Sequence, residues 1–171
     1  LTIAVVDLGY DDVSAINLGG LMTPSIAKLA ANGVTFRRQY ADSICTPSRV
    51  AMLTGRYAER RRFRPVGVEI PAEFSTLAQQ FQDAGYTTYS TGKLHAEEET
   101  EQAKPENNSY DSWFGFLSQL ELSGEIRSLS EESSKKPRYN DPTLRINGRE
   151  PQLHNGHLTN ILTDRTIKKI Q

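Results

Sequence analysis

The sequence predicts an α/β fold in which a mostly parallel central sheet is flanked by helices. Two observations predict it. Apolar runs of strand length alternate with stretches whose apolar residues recur at helical spacing. The residues with the most chemical character then fall just beyond the ends of those runs, where open α/β sheets bind their ligands.

Each element has a local reason. Leu1 to Val6 is an apolar run bounded by Asp7 and reads as a buried first strand. Thr23-Pro24-Ser25 opens a helix through Ala31, because proline suits the first helical turn, and Asn32-Gly33 stops it. Val34 to Tyr40 follows as an extended segment whose far end delivers Cys45. Thr46-Pro47 opens the next helix, which runs through Leu53 until Gly55 can cap it. Ser75-Thr76 opens a third helix to Ala84, in which Leu77, Ala78, Phe81 and Ala84 share a face, and Gly85 ends it before a strand from Tyr86 to Ser90. That strand delivers Lys93 and His95. A last helix runs to the end of the chain beyond Gly156-His157.

Composition bounds the function only loosely. The 171 residues carry a net charge of −1, which gives no reason to expect a nucleic-acid partner, since that demands a basic face. One cysteine excludes an internal disulfide framework. No run approaches the roughly 18 apolar residues of a membrane span, and no cleavable signal precedes Leu1, which is not a methionine. The stretches from Glu97 to Asn108 and from Ser128 to Lys136 are polar and read as surface segments. Arg60, Arg61, Arg62 and Arg64 form a basic cluster, either a solvated face or a rim that attracts anions.

The lone cysteine is the most informative residue. Placed at a helix N-terminus, Cys45 sits where unpaired N–H groups and the helix dipole favour an anion by roughly 0.3–1 kcal/mol. Arg49, four residues on, adds a cation on the same helical face. The plainer reading is a small buried hydrophobe. Lys93 and His95, two apart at a strand end, point to one side and can reach one anion.

These motifs carry a resemblance. Cys45-Thr46-Pro47-Ser48-Arg49, continued through Val50-Ala51-Met52-Leu53-Thr54-Gly55-Arg56, is similar over twelve positions to the active-site sequence of the type I sulfatases. Gly85-Tyr86-Thr87-Thr88 and Gly92-Lys93-Leu94-His95 resemble the family's next motifs, with Leu94 where an aromatic is usual. Tyr110 to Leu117 resembles a Gly-Phe-Asp-x-Phe-x-Gly-Phe segment and is expected to pack a loop through its aromatics. Leu144 to Gly148 and Gly156 to Arg165 resemble the arylsulfatase-like branch. At the N-terminus the family has two adjacent aspartates before Leu-Gly-Tyr. Here Val6 takes the first position and Asp7 the second.

The resemblance implies an alkaline-phosphatase-like sulfatase fold, incomplete at the C-terminus, with residues 1–171 forming the N-terminal portion of the catalytic domain. It implies sulfate monoester hydrolysis. Cys45, oxidised to Cα-formylglycine by a formylglycine-generating enzyme, would be the nucleophile as its aldehyde hydrate. Arg49 would stabilise the hydrate, Lys93 would hold sulfate oxygens, and His95 would hydrogen-bond the hydrate or take its proton. Asp7 and the modified Cys45 would be ligands of a divalent metal, calcium in most of the family.

Asp11 and Asp12 read as a solvated turn, and His154 and His157 as surface or loop residues. The partner implied is a sulfated small molecule or sulfated carbohydrate, and the location an exported one. Two alternatives stand beside this reading: a phosphoester or phosphonate monoester hydrolase of the same superfamily, and a non-catalytic relic or fragment. Because the family's later Pro-His, Asp-Asn and lysine motifs do not occur in these residues, the chain alone is expected to turn over little substrate.

Overall fold

A computed structural model describes residues 1–6, 8–14, 21–57, 70, 74–94, 110–117, 139–147 and 149–171. Asp7, His95, the arginine cluster at 60–64 and the polar stretches at 97–108 and 128–136 lie outside the described residues. The chain divides into two compact units, Leu1–Asp42 and Ser43–Gln171.

In the first unit the run at residues 1–6 is not a strand. Ile3 and Val5 remain 70% and 60% exposed. An apolar run becomes a strand only when a neighbour takes up its N–H and C=O groups, and no ladder partner stands beside it among the described residues. The segment expected to be extended from Val34 to Tyr40 likewise joins no ladder.

Local polar chemistry shapes the remainder of this unit. Tyr10–Asp12 forms a single 3-10 turn, closed by Asp12 N–H donating to the Gly9 carbonyl (3.1 Å) and Gly9 N–H to Asp12 Oδ2 (3.0 Å). Ser14 and Thr23 clasp each other: each backbone N–H donates to the other's hydroxyl, at 3.0 and 3.1 Å, and the hydroxyls lie 2.8 Å apart. Helix α1 (Pro24–Ala31) starts there, with proline in its first turn. Thr23 is its N-cap residue yet makes no side-chain cap bond, because its hydroxyl serves Ser14. Asn32 ends the helix by donating Nδ2 to the Lys28 carbonyl at 2.8 Å.

The second unit opens with α2 (Cys45–Thr54). Gly55, at φ +67°, closes it in the left-handed conformation that glycine adopts without penalty. Its buried Val50 packs with Phe74 and Ile70. The next helix, α3 (Leu77–Asp83), is capped by Thr76, whose hydroxyl accepts from Gln79 N–H at 3.1 Å. Of its expected apolar face only Ala78 is buried; Phe81 is half exposed and meets Tyr86 edge-on at 5.4 Å.

Strands β1 (Tyr89–Lys93), β2 (Ser112–Phe116), β3 (Thr143–Ile146) and β4 (Gln152–Leu153) form one sheet in that order. The sheet is mixed: β1 and β2 run parallel, while β2 with β3 and β3 with β4 pair antiparallel. So short a link between β3 and β4 permits only an antiparallel return. Compared with the sequence reading, β1 begins three residues later and takes in Lys93.

The segment expected to pack a loop is instead the inner strand β2. Its residues from Trp113 to Phe116 are all buried, so the run shows no alternation of apolar and polar positions. Trp113 N–H donates to Asn147 Oδ1 at 2.7 Å and Asn147 N–H returns to the Trp113 carbonyl at 3.0 Å, which carries the ladder past the end of β3.

Helix α4 (Leu158–Ile170) lays Leu158, Ile161 and Leu162 against Phe114, Phe116, Leu144 and Ile146. His157 is its N-cap, accepting from Thr159 N–H. His154 lies in the loop after β4, as expected, but is half-buried and edge-on to the Phe114 ring at 5.3 Å, at the margin of this core.

One contact sets how closely β1 and β2 approach. Gly92 faces Gly115 in the parallel register, and Gly92 has φ +105°. A Cβ built on Gly115 would overlap the Gly92 carbonyl oxygen. Gly115→Ala should therefore lower stability by about 1–3 kcal/mol, read from urea unfolding, because two backbones must separate rather than one side chain turn.

A second tie joins the two strands at their start. Asp111 Oδ2 accepts from Thr88 N–H at 2.6 Å and Thr88 Oγ1 at 3.0 Å. The hydrogen bonds from Thr88 and Gln82 hold the Asp111 carboxyl below the usual carboxylate range. A depressed folded-state pKa contributes stability that is present above the unfolded value and lost as pH falls toward the folded one. Thermal melts of wild type and Asp111→Asn below pH 4 should show the wild type losing an increment of stability that the variant never had.

Candidate functional site

The site is built where the first turn of α2 meets the C-terminal end of β1. Ile44 enters α2 with extended backbone and gives no side-chain cap, so the first N–H groups of the helix are left to other partners. Ser48 Oγ turns back to donate to the Ile44 carbonyl at 3.0 Å. Cys45 is the first helical residue, partly buried and not in a disulfide. Thr46, 1% exposed, carries a buried hydroxyl oxygen with no hydrogen-bond partner among the described residues.

Arg49 ties these elements together. Its Nε donates to the Leu94 carbonyl at 2.7 Å, and Nη2 donates to the Lys93 carbonyl. The guanidinium is thus fixed on the last two peptide units of the β1 end. Burial pushes the Arg49 pKa down from its ordinary value, while the neighbouring Cys45 and Tyr110 pull it back up. Lys93 closes β1 with a partly buried side chain. Leu94, where the resemblance led one to look for an aromatic, is 4% exposed and returns its N–H to the Phe116 carbonyl at 3.0 Å.

Of the residues predicted from sequence, Cys45, Arg49 and Lys93 fall on these adjoining ends. Asp7 and His95 lie outside the described residues. Among the described residues no group of three or more His, Cys, Asp or Glu lies together as a metal cage would require.

Two polar residues were missed by sequence reasoning. Tyr110, just ahead of β2, is largely buried beside Arg49, and its hydroxyl is hydrogen-bonded to the Ser90 side chain. Burial raises the Tyr110 pKa, against the Ser90 hydrogen bond and the Arg49 charge that lower it, so the phenol is protonated at neutral pH. A signal was present: Tyr110 adds a hydroxyl at a position where the related motif has phenylalanine.

Comparisons with known proteins bear on this geometry. The family model described as Sulfatase matches residues 2–171. Arylsulfatase J of Mus musculus is 33% identical over 117 residues, covering 65% of this chain and 19% of that protein. The chain thus spans about a fifth of the length of such curated relatives. Among solved structures, Ps i-CgsB superposes with a TM-score of 0.76 at 25% identity, over 96% of this chain and 39% of its own. It has also been determined in complex with k-i-k-neocarrahexaose. BT4656, in complex with its substrate D-glucosamine-2-N,6-O-disulfate, gives a TM-score of 0.69 at 25% identity, over 94% of this chain and 28% of its own.

Removing the Arg49 side chain would take one donor from each of two backbone carbonyls. Arg49→Met should cost about 1–3 kcal/mol in urea unfolding. Arg49→Lys should recover only part of it, since a single ammonium cannot span two carbonyls in one plane.

Proposed function

The chain belongs to the sulfatase family, and on that premise we propose that the protein hydrolyses sulfate monoesters with Cys45 as the source of its nucleophile. The alkaline-phosphatase-like fold of that family frames residues 1–171, which we take as the N-terminal portion of its catalytic domain. One observation supports the reading above the others. Cys45 opens α2 with the immobilised cation Arg49 one turn on, and Arg49 is anchored on the strand end that bears Lys93.

Cα-formylglycine, formed from Cys45 by a formylglycine-generating enzyme, supplies when present the oxygen nucleophile and an aldehyde that is restored once sulfate has left. The rest of the chemistry rests on side chains. Arg49 presents positive charge that cannot swing away, so it needs no reorganisation as negative charge develops. Lys93 binds sulfate oxygens as a compact cation at the end of β1. His95, two residues on in sequence, hydrogen-bonds the nucleophilic hydroxyl or takes its proton. A divalent ion is part of the reading by resemblance, with Asp7 and the modified Cys45 as its ligands. Asp7 lies outside the described residues, among which no group of three or more His, Cys, Asp or Glu lies together.

The relatives support a substrate class. Arylsulfatases and two carbohydrate-bound structures resemble this chain, and a sulfated carbohydrate or small sulfated molecule suits a site with Arg49 anchored on the strand end that bears Lys93. Mass spectrometry of the tryptic peptide Gln39 to Arg49, from the native source or after co-expression with a formylglycine-generating enzyme, should find an aldehyde at Cys45. The full protein should hydrolyse an aryl sulfate and lose that activity on Cys45→Ala. An unmodified thiol under both conditions would count against the reading.

A further inference from the structure

The stripe by which α4 packs on the sheet changes character halfway along the helix. Leu158 and Leu162 turn onto the apolar cluster of Phe114, Phe116 and Leu144, and two turns further on the same stripe carries Arg165 and Lys169. Cations at sheet-facing positions, where apolar residues would pack, call for a ligand or a partner. The guanidinium carbon of Arg165 lies 5.2 Å from the centre of the Phe114 ring, and Lys169 Nζ lies 4.4 Å from that of Tyr89. Neither cation meets a carboxylate among the described residues, and Arg165 Nε is buried there without a hydrogen-bond partner.

The sheet beneath supplies hydroxyls. Tyr89 and Ser112 are register partners in the parallel pair, as are Thr91 and Phe114, so these four side chains share the face that α4 covers. With Arg165 and Lys169 they line one shallow depression. Charged donors thus come from the helix and hydroxyl donors from the strands. A carboxylate presents its acceptors in one plane, whereas a tetrahedral oxyanion presents them on every side and can meet donors from both layers. We propose that this depression binds a tetrahedral oxyanion, free sulfate or a sulfate group carried on a carbohydrate, through Arg165, Lys169 and the hydroxyls of Thr91 and Ser112.

A bound oxyanion gives the orphaned Arg165 Nε–H the charge-assisted hydrogen bond that it lacks. The place is separate from the Cys45 end of the fold. Tyr89 lies four residues, about 13 Å of strand, before Lys93. The site itself does not depend on the sulfatase reading; only a carbohydrate source for the sulfate does.

The test follows arginine Nε–H signals by NMR in the full protein labelled with nitrogen-15 arginine, titrated with sodium sulfate against sodium chloride at equal ionic strength. Arg165 should shift saturably with a midpoint of about 1–10 mM, and chloride should not reproduce the shift. Arg49 marks any sulfate bound at the other end of β1. Lys169→Met puts an apolar residue in the stripe and keeps the Arg165 reporter; the midpoint at Arg165 should rise about fivefold or more while the Arg49 response stays as it was. Ser112→Ala should raise it about two- to threefold, and stands in if Lys169→Met does not fold.

Repeating the titration with D-glucosamine-2-N,6-O-disulfate, in Cys45→Ala protein to prevent turnover, separates the two sources. A midpoint at least about fivefold below that of sulfate upholds the site as one for sulfated carbohydrate, and an equal midpoint upholds it as one for the free anion. An Arg165 signal that chloride moves as far as sulfate, that does not saturate, or that keeps its midpoint in both variants would overturn the proposal. None of these readouts needs turnover, so a protein that hydrolyses no sulfate ester fails the sulfatase reading and leaves this site to be judged on Arg165.

Discussion

The attachment of Arg49 to the carbonyls of Lys93 and Leu94 is the constraint on which the candidate site depends. These groups are more than forty residues apart in sequence, and the pair converts two local elements into one rigid corner. Burying a guanidinium opposes folding through lost hydration, and well-aimed carbonyl acceptors offset that loss. What results is a helix N-terminus whose orientation relative to the strand end is fixed by a charged side chain rather than by apolar packing alone. The apolar cluster of Val50, Phe74 and Ile70 supports the helix that carries Arg49, and the first helical turn buries Thr46 and Pro47 beside Cys45.

The strand end is held in turn by an absence of side chains. Gly92 and Gly115 let β1 and β2 approach in a way no Cβ would tolerate, and α4 seals the contact by placing Leu162 over Gly92. Upstream, Asp111 and Thr88 tie the same two strands by side-chain hydrogen bonds. Lys93 thus closes a strand pinned at its start, its middle and its end. Chemistry at an anion gains from such stiffness, because the backbone that carries Lys93 and anchors Arg49 needs no rearrangement.

Helix boundaries were legible in the sequence wherever one residue dictates the backbone. Pro24 and Pro47 mark first turns, Thr76 caps α3 with its hydroxyl, and Gly55 and Gly85 take positive φ just past helix ends. Strands were less legible because their pairing is non-local. The inner strand β2 hid as a run of aromatics buried on both faces, and residues 1–6 have the apolar pattern of a strand but no ladder partner among the described residues. The mixed direction of the sheet depends on how distant segments meet, which no local pattern encodes. In the site, Cys45 and Arg49 could be paired from sequence because four residues make one helical turn. The hydrogen bond between Tyr110 and Ser90 arises only when separate segments converge.

The Arg49 geometry has a stereochemical consequence. A guanidinium offers two edges that can grip an oxyanion in a fork, a side-on edge formed by Nε with Nη2 and an end-on edge formed by the two terminal nitrogens. Here the side-on edge is occupied by peptide oxygens of the chain itself. An incoming oxyanion can be gripped in a fork by this arginine only at its tip, along the continuation of the side chain. Approach direction, and not charge alone, is therefore written into the way one helix is fastened to one strand.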